Sequence, residues 1–123
     1  MKILNDYFYL FDQAGQDSNA MDELLSLFSP DVVIVLNGAK QIGFETFIKA
    51  FYENNSEVKH MYENWELRNN GEYYETNWAV CGKTSSGKVY ALSGIDRAKL
   101  DQHGKIVYLE NIPSDKNIFN KYS

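Results

Sequence analysis

Residues 88–112 read KVYALSGIDRAKLDQHGKIVYLENI, two runs in which outward and inward side chains alternate on either side of a His103-Gly104 turn. A period of two marks a strand with one face buried, and a glycine-bearing turn between two such runs makes an antiparallel hairpin. Strands are predicted over 88–100 and 105–112. Toward the N-terminus the same pattern continues over 72–84 and 58–68, with turn chemistry at Ser86-Gly87 and Asn70-Gly71. Four successive long strands joined by short turns form a meander.

The first half of the chain has a different period. ILNDYFYLFDQA (3–14) places apolar or aromatic side chains at 3, 4, 7, 8, 10 and 11, a helical stripe that stops at Gly15. A second helix opens on Asp17, Ser18 or Asn19, carries Met21, Leu24, Leu25 and Phe28 on one face, runs to about Leu27, and is closed off by Pro30. VVIVLN (32–37) is a β-branched run read as a buried strand, followed by an Asn37-Gly38 turn. GFETFIKAFYEN (43–54) gathers Phe44, Phe47, Ile48, Phe51 and Tyr52 on a third helical face.

Helices first and sheet second define the α+β class, here a curved antiparallel sheet wrapped round three N-terminal helices as a cone or open α+β barrel. The open end of such a cone is a pocket of small-molecule size. The 123 residues, 44% hydrophobic and 24% charged, suit one domain over 1–123 with its own core. There is no internal repeat or linker. The polar end SDKNIFNKYS, from about residue 114, is expected to fray, with Ile118 and Phe119 available to dock.

Composition also excludes classes of function. Twelve basic residues against 17 acidic ones leave a net charge of −5, whose average field repels a phosphate backbone, so no nucleic-acid partner is expected. One cysteine, Cys81, allows no disulfide within the chain, and two separated histidines imply no metal site. No run approaches about 18 consecutive apolar residues, and MKILNDYFYLFD lacks the pattern of a signal peptide, so a cytoplasmic protein with no membrane span is expected. Neither a phosphate-cradling loop nor a dinucleotide fingerprint is present, Ser93 lacks a nucleophile elbow, and no cofactor is expected.

Chemistry concentrates on the strand at 88–100. One of its faces carries Tyr90, Leu92, Gly94, Asp96, Ala98 and Leu100, apolar except for Asp96. A carboxyl among such neighbours is costly to ionise, which raises its pKa and suits it to act as an acid or a neutral donor. The alternative is an acceptor for neighbouring backbone donors. His60 is the residue type that exchanges protons near neutrality, especially when a carboxylate orients it. It shares a face with Tyr62, Asn64 and Glu66 unless a bulge before Trp65 reverses the later positions. His103 lies in an exposed turn. Asn111 is polar on the mostly apolar face of Val107 and Leu109, placed either to orient a ligand carbonyl or to cap the sheet edge. Aromatic residues make up 15% of the chain, and Tyr7, Phe8, Phe51, Trp78 and Tyr90 suit a flat apolar ligand or serve simply as core.

The element order, together with GIDRAKLDQHGKI at 94–106, resembles the nuclear transport factor 2-like superfamily. It is similar above all to the SnoaL-like polyketide cyclases and the ketosteroid isomerases, whose penultimate strand carries a comparable I-D-x-x-x-[FL]-x-x-x-G-[KR]-[IV] stretch. The resemblance places Asp96 on the pocket aspartate that stays protonated in the isomerases and donates to an oxyanion. It places Phe8 where those enzymes carry a tyrosine donor and Leu36 where they carry the base, which argues against isomerisation of steroids. Tyr7 and Tyr9 lie one step from Phe8, a rotation of about 100° on a helix, and are expected to point elsewhere. His60 matches a pocket histidine of some dehydratases and SnoaL-like members. Dehydratase-like sites add a second histidine, against which this chain has Asn77 or Trp78, and a tyrosine and aspartate on helix one, where Asp12 stands near the end.

Taken together, these features predict a pocket for a small apolar or aromatic molecule, with cofactor-independent acid/base chemistry of isomerase, cyclase or dehydratase type. His60 would serve as base, Asp96 as donor and Asn111 as orienter, with Phe8, Leu36, Phe51, Trp78 and Tyr90 as walls. The alternative is a non-catalytic binding or dimerisation module. A homodimer through the outer face of the sheet is expected, because Ile95 and either Trp65 or Met61 would otherwise be wet there.

Overall fold

The computed structural model describes residues 2–114. Helix α1 (Lys2–Ala14) and helix α2 (Ser18–Ser26) pack together, followed by β1 (Phe28–Leu36), β2 (Ala39–Ile42) and α3 (Glu45–Asn54). The remaining elements are β3 (Asn55–Tyr62), β4 (Glu66–Arg68), β5 (Tyr73–Thr84), β6 (Val89–Leu100) and β7 (Ile106–Pro113). The strands form one sheet in the order β2-β1-β7-β6-β5-β3, with β4 paired to β5 as an extra edge segment. The sheet is curved and not closed. Leu4, Phe8, Leu24, Ile34, Ile48 and Ile106 are fully buried between it and the helices.

Local chemistry explains most boundaries. Asp17 caps α2 by accepting the backbone N–H groups of Asn19 and Ala20. The predicted turns carry left-handed residues, Asn37-Gly38 after β1 and Asn69, Asn70 and Gly71 before β5. Gly15 ends α1 where the Tyr52 ring lies so close that a Cβ would collide with it. The Tyr52 hydroxyl donates to the carbonyl of Phe11, tying α3 to α1.

The structure departs from the sequence reading at four places. The sheet is mixed rather than antiparallel throughout, because β1 runs parallel to β7. The buried strand starts earlier than expected: Phe28 opens β1 instead of finishing the α2 stripe, and Pro30 lies within the strand, in the stretch between Phe28 and Val33 where the pairing to β7 shifts register. The turn at Asn37-Gly38 leads into a four-residue return strand, β2, so that VVIVLN is one arm of a hairpin. The run expected at 58–68 is two segments, β3 and β4, because residues 63–65 leave the ladder. That break turns Trp65 inward, where its Nε1–H donates to the Leu4 carbonyl at 3.2 Å, so Trp65 is buried and Met61 is the residue left 61% exposed on the outer face. The end of the chain containing Ile118 and Phe119 lies outside the described residues.

Candidate functional site

Strand β6 alternates as its sequence dictates: Tyr90, Leu92, Gly94, Asp96 and Ala98 are buried, while Val89, Ala91 and Ser93 are exposed. Asp96 is only 2% exposed. Its cross-strand neighbours are Thr76 on β5 and Asn111 on β7. The Asn111 side chain donates Nδ2–H to Asp96 Oδ1 at 3.0 Å, so the register of the hairpin quoted first builds this pair. Burial pushes the Asp96 carboxyl up to about 7, against the opposing pull of the Asn111 amide and of the nearby Trp78 indole N–H. That indole is itself buried and completes no hydrogen bond of good geometry among the described residues. Arg97, on the opposite face, pairs with Glu75 at 2.8 Å and takes no part.

His60 faces inward with Val58 on β3, and the reversal of the alternation comes after it, across residues 63–65. Its backbone N–H donates to Asp12 Oδ2 at 2.7 Å, and its Nδ1 lies 2.6 Å from Asp12 Oδ1. Two donors from one residue thus meet the two oxygens of one carboxylate. An ionised Asp12 accepts Nδ1–H, which leaves the Nε2 lone pair as the free basic position of the ring. Asp12 sits in the last turn of α1, where the helix dipole disfavours an anion, and these two hydrogen bonds compensate it. The imidazole is packed against Phe8 and Phe11, with ring centroids 5.0 and 5.1 Å away.

Both groups open on one cavity of about 230 Å³ inside the cone. Phe8, Leu36, Phe51, Trp78, Tyr90 and Asn111 all line it, alongside Asp96 and His60. Sequence reasoning singled out Asp12 by its place on helix one without joining it to His60, from which it is 48 positions distant. Phe11 and Phe47 were legible only as members of helical stripes, and Asn37 only as a turn residue, yet all three reach the cavity.

The expectation for Tyr7 is corrected. Tyr7 and Phe8 both line the cavity, while Tyr9 is 63% exposed. Helix α1 lies inside the curve of the sheet, so its inward arc is wide enough to hold two adjacent positions. Burial, and after it the charges of Asp96 and Asp12, raise the Tyr7 phenol well above its ordinary range, which keeps it a donor. Among the described residues its hydroxyl has no hydrogen-bond partner. His103 is exposed in its turn, and Cys81 is an exposed free thiol. No group of three or more His, Cys, Asp and Glu side chains among the described residues is placed to hold a metal ion. No helix among them is long and apolar enough to cross a membrane.

A curved sheet clasping helices around an apolar hollow with a few polar groups inside is the architecture of the NTF2-like proteins. An NTF2-like protein of unknown function from Exiguobacterium sp. 255-15 is 44% identical, with 93% of this chain and 99% of that chain covered at a TM-score of 0.89. The chain belongs to this family. A candidate polyketide cyclase from Pseudomonas putida KT2440 shares the fold at 20% identity, with 98% of this chain and 94% of that chain covered and a TM-score of 0.72. The epoxide hydrolase/cyclase-like enzyme SalBIII, described for pyran ring formation in the polyether salinomycin, does so at 14% identity, 92% and 88% coverage and a TM-score of 0.73. No family model matches the sequence, and no curated protein sequence matches it.

Proposed function

We propose that the protein binds a small, largely apolar carbonyl compound in the cone and moves a proton at the carbon next to that carbonyl. The observation that carries this reading is the convergence on one apolar cavity of an Asp12-oriented histidine and a buried carboxyl that desolvation pushes up to about 7. His60 Nε2 takes the α-proton, the C–H electron pair moves into the carbon–carbon bond, and charge develops on the carbonyl oxygen. Protonated Asp96 donates to that oxygen from a buried, mostly apolar wall, where each hydrogen bond is worth more than in water. Asn111 holds the Asp96 carboxyl in place. Return of the proton to a different carbon gives isomerisation; attack of the enolate carbon on a second carbonyl gives ring closure, the C=O electron pair moving to its oxygen and the proton on His60 passing to the alkoxide so formed, a cyclisation of the kind the name of the fold neighbour from Pseudomonas putida states. All atoms come from the substrate and the two side chains, so the sequence of steps requires no cofactor.

The test is exchange of α-hydrogens of small cyclic ketones in heavy water, followed by proton NMR. Enzyme-dependent exchange lost in both His60→Ala and Asp96→Asn, with folding retained, supports the reading. Equal exchange by both variants and the parent protein overturns it.

A further inference from the structure

We propose that the cavity selects an uncharged compound of one or two rings bearing a carbonyl oxygen, and excludes carboxylates of the same size as well as four-ring compounds. This deepens the proposed function and rests on it only for the role of Asp96 as a donor.

The unspent hydrogen-bonding capacity of the site states what the ligand must offer. The Tyr7 phenol is 5% exposed, lines the cavity and has no partner among the described residues. The Trp78 Nε1–H is buried and likewise unsatisfied, next to Asp96. Leaving the buried indole N–H unpaired is costly, and a bound acceptor oxygen relieves that cost, with the Tyr7 hydroxyl as a second donor to the same oxygen. On the His60 side the free group is an acceptor, Nε2, which asks for an acidic C–H or O–H.

Charge narrows the class further. The titratable groups facing the cavity are Tyr7 from α1, His60 from β3, and Tyr90 and Asp96 from β6, with Asp12 behind His60. No lysine or arginine lines it among the described residues. A ligand carboxylate would be desolvated beside Asp96 and Asp12 with no fixed cation to pair it. A cationic amine would need Asp96 ionised where burial favours its neutral form.

Size sets the upper limit. A void of about 150 Å³ accepts benzene, and drug-sized ligands need roughly 300 Å³ or more. At about 230 Å³ the hollow lies between the two, with Phe8, Phe11 and Phe51 as its aromatic walls.

The experiment is calorimetric titration of the intact protein at neutral pH with four probes: β-tetralone, β-naphthoate, β-aminotetralin and a four-ring steroid enone. The expected result is binding of β-tetralone at least tenfold tighter than of the naphthoate and the amine, no heat with the steroid, and a roughly fivefold weakening by Tyr7→Phe, the loss of one hydrogen bond. Equal or tighter binding of naphthoate, amine or steroid overturns the proposal, and so does no binding of β-tetralone. The two readings fail separately. Selective binding without α-hydrogen exchange removes the chemistry and keeps the ligand class, whereas exchange with inverted selectivity does the reverse.

Discussion

Replacing Asp96 by Asn tests the central physical feature of the site without reference to any substrate. The substitution keeps the volume, and an Asn oxygen can accept the bond from Asn111 Nδ2 that Asp96 Oδ1 accepts now. What it removes is the acid. In the folded protein the carboxyl titrates at about 7, against 3.8 for the exposed group. Between those values the unfolded chain has lost this proton while the folded chain still binds it, so the contribution of Asp96 to stability is full below about pH 4 and declines as pH rises to about 7. At roughly 1.4 kcal/mol per pH unit, the decline amounts to about 4 kcal/mol. Urea unfolding of both proteins at several pH values from about 4 to 8 reads it directly, since all other titrating groups are common to both and cancel in the difference. The stability of Asp96→Asn relative to the parent protein should climb by a few kcal/mol across this range and then level off. A difference that stays flat with pH would mean that the carboxyl titrates as it would in water, and the argument for Asp96 as a neutral donor would fall with it.

Three further outcomes are expected. Asp12→Asn sets an amide N–H against one of the two His60 donors, so it should cost about 1–3 kcal/mol in chemical denaturation and slow α-hydrogen exchange; an unchanged stability would contradict the bidentate arrangement. Exchange activity should fall as pH rises above about 7, when Asp96 loses its proton, and a kcat/KM profile with no falling limb above that region would assign the donor role elsewhere. Gly94→Ala would place a Cβ 2.5 Å from the Ile112 carbonyl oxygen and 2.8 Å from the Trp78 ring, so a loss of about 1–3 kcal/mol in thermal or urea unfolding is expected, together with weaker β-tetralone binding as the indole is pushed into the cavity.

The legible part of this protein was the part governed by short-range regularity. Alternation along β6 by itself puts Asp96 on the greasy face, and the glycine turns locate the hairpins, because strand period and turn conformation depend on residues a few positions apart. The helical stripes on α1 and α3 marked Phe8 and Phe51 as inward for the same reason. Errors arose where a neighbour distant in the chain decided the outcome. Pairing of β1 with β7 makes the sheet mixed, and no local pattern distinguishes a strand that will lie parallel to a partner some seventy residues on. The excursion at 63–65 that buries Trp65 depends on a carbonyl of α1 as acceptor.

The sequence alone determined the two periodicities, the turns, the class of fold and the burial of one carboxyl, all of which follow from how successive side chains project from a helix or a strand. Only the tertiary structure decided that Asp12 grips His60, that Tyr7 enters the hollow with its hydroxyl unspent, and that an indole N–H stops beside Asp96 without completing a good bond. Those contacts join residues from separate elements, and their geometry depends on how a curved sheet closes over a helix rather than on any spacing along the chain.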